Sequence, residues 1–170
     1  MTMLSVVVVG PSMSGKTRLC MSLSEQHSSS LGTTCSASSV CISVNDREWH
    51  VWDTPAVLAA EIVNSSESWL AHDVLREANV VVVCHDGRPE SKGPIPLVRA
   101  CGVDRCIIVR TRGSSSYHDL PFFLDYLKTS TSDGSLVPIV NPGADLLYSV
   151  NRLALSQRQT KDLQGFVELE

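Results

Sequence analysis

The sequence predicts one α/β domain with a mostly parallel central sheet of about six strands flanked by helices. Three observations predict it. Short aliphatic runs recur along the 170 residues, at Leu4 to Val9, Val80 to Cys84 and Cys106 to Val109. A run that is apolar at nearly every position suits a strand buried on both faces. Segments with helical spacing separate these runs, which is the pattern of a parallel α/β sheet. The first run ends in a glycine-flanked loop that leads directly into such a segment.

Each element follows in order. Leu4 to Val9 is short and β-branched, and it ends in Gly10-Pro11. Thr17 to Ser24 places Leu19, Cys20 and Leu23 on one helical face. Residues 27–39 are rich in Ser, Thr and Gly and read as a loop. Val40 to Val44 and Glu48 to Trp52 read as two strands joined through the turn residues Asn45-Asp46, a hairpin. Asp53 to Ala56 is a loop, and residues 57–77 are partly helical with an interruption near Asn64-Ser65-Ser66. After the strand at Val80 to Cys84 come a short helix within 91–101, a strand at Cys106 to Val109 and a helix from Leu120 to Lys128. A short strand at Val137 to Val140 and a helix from Leu146 to Gln157 complete the pattern. Residues 1–159 form the expected domain, and 160–170 extend the last helix or fray from it.

Composition narrows the function classes. Hydrophobic residues make up 43% and charged residues 19%, with a net charge of −4 and a pI near 5.7. These values suit a globular chain and lack the basic balance of a nucleic-acid or membrane-surface binder. Of the six cysteines, Cys84 and Cys106 adjoin apolar runs, where buried thiols are common. There is no CxxC pair, so no zinc site is expected. No basic leader, bilayer-length apolar run or terminal prenylation cysteine stands out. A reduced, cytoplasmic protein without a direct membrane anchor is expected; the oligomeric state is not legible.

Gly10-Pro11-Ser12-Met13-Ser14-Gly15-Lys16-Thr17 is a complete G-x-x-x-x-G-K-[ST]. Such a loop turns backbone N–H groups inward around phosphate oxygens and aims the dipole of the following helix at the anion. In this pattern Lys16 reaches the β- and γ-phosphates and the Thr17 hydroxyl ligates Mg²⁺. Asp53 follows a strand, at the sheet edge where ligands bind in open α/β folds. It holds the metal directly or through water, or else it caps a turn.

At these residues the chain resembles a small GTPase of the Ras, Rab and Arf superfamily, and the resemblance spans nearly the whole length. Trp49-His50-Val51-Trp52-Asp53-Thr54-Pro55-Ala56 resembles the W-D-T-A-G element, and Arg76 to Asp86 resembles the R-G-A-x-x-x-x-x-V-x-D strand. Asp86-Gly87-Arg88-Pro89 and Cys101 to Val109 are similar to segments of translational GTPases, a kinship within the wider class. The resemblance implies a P-loop small-GTPase-like fold, GTP or GDP as ligand and Mg²⁺ as cofactor. It implies nucleotide contacts from Gly10 through Arg18 and from Ala56, Thr111, Arg112 and Asn141. Metal contacts come from Thr17, Thr34 and Asp53. Lys16 and Thr34 carry the catalytic role; Thr34 is preferred to Thr33 for its spacing after Lys16.

The departures from the family pattern are specific. Ala56 replaces the glycine of D-x-x-G, and Pro55 stiffens the same loop. Val57 stands where a water-orienting glutamine is usual, and valine has no hydrogen-bonding group. Thr111-Arg112-Gly113-Ser114 replaces N-K-x-D, so the guanine-binding carboxylate is absent. Arg112 packs over the base or is a surface charge. Asn141, in Asn141-Pro142-Gly143-Ala144, contacts the base or is a turn residue. The expected function is a GTP-dependent switch with slow or absent hydrolysis, read by effector or regulatory proteins through residues 27–39 and 53–66. The alternatives are a pseudo-GTPase assembly subunit and a P-loop ATP-binding protein or small kinase.

Overall fold

The computed structural model describes residues 3–11, 13–27, 39–54, 69–87, 93–111 and 122–168. Its strands are β1 (Leu4–Val9), β2 (Ser39–Val44), β3 (Arg47–Asp53), β4 (Val80–His85), β5 (Cys106–Arg110) and β6 (Ile139–Val140). Its helices are α1 (Lys16–Gln26), α2 (Trp69–Glu77), α3 (Ile95–Cys101), α4 (Phe123–Leu127) and α5 (Ala144–Glu168), with a 3₁₀ turn at Val103–Arg105. The six strands form one sheet in the order β2-β3-β1-β4-β5-β6. Every pairing is parallel except the β2–β3 hairpin.

The predicted fold class, strand positions and hairpin therefore stand. Along β1 the side chains alternate between two cores, as the pleat requires. Val6 and Val8 pack with Leu19 and Leu23 of α1 and with Leu146, Val150 and Ala154 of α5. Val7 and Val9 pack on the other face with Leu75 of α2 and with Ile95 and Val98 of α3. Trp49 is fully enclosed in the first core.

Three boundaries differ from the sequence expectation. The last strand was expected over Val137 to Val140, but only Ile139 and Val140 pair with β5. Pro138 has no N–H to donate, and the buried Val137 turns its carbonyl to the Tyr126 hydroxyl, 2.7 Å away. The helix expected from Leu120 is a short α4, while residues 112–121 lie outside the described set. The terminal helix begins two residues earlier than expected and continues through Glu168. Of the stretch 57–77, only Trp69–Glu77 is described, as helix.

Arg105 ties the second layer together. Its Nε donates to the Cys101 carbonyl at 2.7 Å, and its Nη1 reaches the carbonyls of Leu75 and Ala78 at 2.5 and 3.1 Å. These carbonyls lie at or just beyond the C-terminal ends of α3 and α2, where acceptors are left over and a cation is favoured. Among the described residues no helix is long and apolar enough to cross a membrane.

Candidate functional site

Strand order reverses about β1, which pairs with β3 on one side and β4 on the other. At such a reversal the connecting segments leave in opposite directions and open a crevice at the strands' C-terminal ends. Gly10, Thr54, Asp86 and Thr111 follow β1, β3, β4 and β5 at this one edge.

The loop from Gly10 to Lys16 needs its glycines for separate reasons. A Cβ on Gly10 would lie 3.0 Å from the Cys84 carbonyl oxygen and 2.7 Å from the Ser14 Oγ. Gly15 has φ +92° at the N-cap of α1, and a Cβ there would meet the Thr111 side chain at 3.1 Å. Met13 also has positive φ, 61°, and its side chain projects outward. Gly10→Ala is expected to destabilise the fold by about 1–3 kcal/mol, because backbone of β4 must move. Urea unfolding of the variant measures this; an unchanged midpoint would contradict the close packing.

Lys16 lies inside the loop, 7% exposed. Its ammonium donates to the Pro11 carbonyl at 2.8 Å. Burial lowers its pKa below the usual 10.5, with the nearby Cys84, Asp53 and Cys20 pulling the other way. The Thr17 hydroxyl donates to Asp53 Oδ2 at 2.7 Å, joining the start of α1 to the end of β3. Among the described residues the other carboxylate oxygen of Asp53, Oδ1, is buried without a hydrogen-bond partner, as is Ser14 Oγ. An orphaned carboxylate oxygen beside a hydroxyl is the donor set a hard cation takes. Mg²⁺ commonly accepts one or two protein ligands and completes its shell with phosphate and water. Among the described residues no group of three His, Cys, Asp or Glu side chains could hold a metal ion; Thr17 and Asp53 offer two oxygen ligands, a set that suits Mg²⁺ when phosphate and water complete its shell.

Thr54 and Thr111 hold the crevice in shape. Thr54 donates its hydroxyl to the Val8 carbonyl at 2.8 Å. Thr111 reaches across to the phosphate loop, donating from Oγ1 to the Ser14 carbonyl at 2.5 Å, with the His85 carbonyl 3.2 Å away. His85, the last residue of β4, is buried; its Nδ1 accepts from the Gly87 N–H at 3.0 Å and its ring meets Phe122 edge-on.

Beside the loop lies a cavity of about 210 Å³, lined by Gly15, Arg18, Leu19, Ser22, Thr111 and Pro142. Asn141 is exposed next to Pro142. The structure thus brings together Gly10, Gly15, Lys16, Thr17, Asp53 and Thr111 at the edge, with Arg18 in the cavity. Ser12, Thr34, Ala56 and Arg112, and with them Val57 and Ser114, lie outside the described residues. Leu19, Ser22 and Pro142 join the site only in the folded chain; no site motif marks them in the sequence. The i, i+4 spacing of Arg18 and Ser22 would have paired them once the start of α1 was known.

A family model described as 50S ribosome-binding GTPase matches residues 5–108. No protein of curated function matches the sequence. Among solved structures, the chain is similar to the FeoB G-domain of Methanococcus jannaschii, at 16% identity and TM-score 0.60, over 92% of this chain and 99% of that one. It is also similar to nucleolar GTP-binding protein 1 of Plasmodium falciparum, at 14% identity and TM-score 0.69, over 98% and 94%. A small COPII coat GTPase of Encephalitozoon cuniculi, solved with GDP, matches at 12% identity and TM-score 0.55, over 94% and 83%. At these identities the structural matches establish the fold alone.

Proposed function

The chain belongs to the 50S ribosome-binding GTPase family, and from that premise we propose that it is a GTP-dependent switch whose own hydrolysis is slow or absent. The observation that carries the binding reading is the Thr17–Asp53 pair, with one carboxylate oxygen left unpartnered, beside a buried lysine in a glycine-shaped loop.

Each residue contributes a separate term. The Lys16 ammonium has lost water and holds one described acceptor, a neutral carbonyl. Phosphate oxygens offer it charge-assisted bonds, roughly twice as strong. The N-terminus of α1 adds its unpaired N–H groups and dipole. Thr17 and Asp53 would hold Mg²⁺, which would neutralise charge on the phosphates when bound. Thr111 keeps the loop closed on the side of the base. Slow hydrolysis follows from Val57, which cannot orient a water, and from Pro55-Ala56, which limit the swing of the loop after β3. An effector reads the γ-phosphate state through residues 27–39 and 53–66, of which His27, Ser39, Asp53 and Thr54 are described.

Affinities for GTP, GDP and ATP at fixed Mg²⁺ test the reading. GTP and GDP are expected to bind more tightly than ATP, and failure of all three to bind would remove it. Asp53→Asn isolates the metal. It is expected to lower the Mg²⁺-dependent gain in GTP affinity by about 10–100-fold, while GTP binding in EDTA stays near wild type. An unchanged Mg²⁺ titration would assign Asp53 to turn capping instead.

A further inference from the structure

We propose that Arg18 selects the base by reading the guanine edge that carries O6 and N7. This rests on the reading that the crevice takes a nucleotide. The cavity begins at Gly15, the last residue of the phosphate loop, and extends along α1 to Thr111 and Pro142. A polyphosphate seated in the loop therefore directs its nucleoside half into this space.

The polar inventory of the described lining is short. Leu19 and Pro142 are apolar, and the Thr111 hydroxyl is committed to Ser14 and His85. Arg18 and Ser22 remain, one turn apart on the same face of α1. Arg18 is the one ionisable side chain in that lining. Arg18 is an exposed residue and makes no hydrogen bond or ion pair with the described residues, unlike Arg76, Arg99 and Arg105.

The chemistry follows from the fork. A guanidinium presents parallel N–H donors and no acceptor. Guanine offers two acceptors on one edge, O6 and N7, and matches the fork with two bonds. Adenine offers N7 and the N6 amino donor, so one donor of the fork would face another. A cation can thus favour guanine without the carboxylate that would read N1 and N2 from the opposite edge. The sequence has serine, not a carboxylate, at position 114.

Binding of GTP, ITP, 7-deaza-GTP and ATP to the full chain, at fixed Mg²⁺, tests this against Arg18→Ala and Arg18→Lys. In the wild type GTP and ITP should bind alike, because inosine keeps O6 and N7. 7-deaza-GTP and ATP should bind about tenfold or more weakly. Arg18→Ala should lower GTP and ITP to the level of ATP and leave ATP within about twofold. Arg18→Lys keeps the charge without the fork and should resemble Ala. An equal loss for GTP and ATP would assign Arg18 to a phosphate and overturn base reading. Retained GTP preference in Arg18→Ala, or ITP much weaker than GTP in the wild type, would overturn it too. A wild type that binds none of the four defeats the nucleotide reading itself, and base reading with it. Arg18 is exposed, so thermal unfolding of both variants without nucleotide should match the wild type.

Discussion

Lys16→Met is expected to weaken GTP binding about thirtyfold or more while leaving the nucleotide-free protein as stable as the wild type. The two halves have one cause. In the nucleotide-free fold the ammonium is enclosed, and burial lowers its pKa. Its described hydrogen bond is to the Pro11 carbonyl. Among the described residues the ammonium bonds one neutral carbonyl, so its removal relieves a desolvation penalty and forfeits one bond, and the two offset. Methionine keeps the aliphatic stem and so the packing. With a polyphosphate present the balance reverses. Truncating one partner of a desolvated charge pair costs about 2–5 kcal/mol, which is the stated loss of affinity. Calorimetric titration gives the affinity, and thermal melts with and without GTP give the stability. A variant that binds GTP like the wild type would remove Lys16 from the site. Loss of the fold without nucleotide would make Lys16 structural. A pseudo-GTPase subunit would show a third result, with no GTP-dependent rise in melting temperature even in the wild type.

The second large effect is alkaline unfolding. Cys20, Cys84, Cys101 and Cys106 are buried free thiols. Burial raises Cys20 and Cys84 from 9.0 to about 12 and Cys101 to about 11, and it raises Cys106 as well. A thiol whose folded pKa is raised contributes stability that is intact below its unfolded value and is lost as the pH climbs. Above about pH 9 the unfolded chain sheds these protons and the folded chain keeps them, so unfolding is increasingly favoured until the folded thiols ionise. Each thiol contributes about 1.4 kcal/mol per pH unit, so four together approach about 5 kcal/mol per unit. Across one to two units this rivals the whole stability of a typical domain, about 5–15 kcal/mol. Lys16 acts in the opposite direction, since its folded pKa lies below 10.5, but it offsets at most one proton. Urea midpoints at pH 8, 9, 10 and 10.5 should fall steeply beyond pH 9. A flat profile would mean that the thiols are solvated, not enclosed. The cause is local to the site in part, because Cys20 and Cys84 adjoin the buried lysine whose charge they sense.

What the sequence determined by itself was everything written in local pattern. A continuous aliphatic run, a glycine-flanked loop and a helical face in immediate succession specify strand, turn and helix. Because β1 is central, those residues also placed the phosphate loop at the sheet's binding edge. Asp53 was legible for the same reason, as an acid at the C-terminal end of an alternating strand. Tertiary structure decided which distant residues meet. The Thr111 hydroxyl bonds the Ser14 carbonyl across 97 positions, and Gly15 is a glycine partly because Thr111 lies against it. Trp49 is fully enclosed, which the pleat alone does not decide. Arg105 binds the ends of two helices, and Pro138 shortens the last strand. Arg18, Ser22 and Pro142 line one cavity although Pro142 lies far along the chain. Periodicity records only which face of an element turns inward. Its partners depend on strand order and register, and these are set by the packing of the whole sheet.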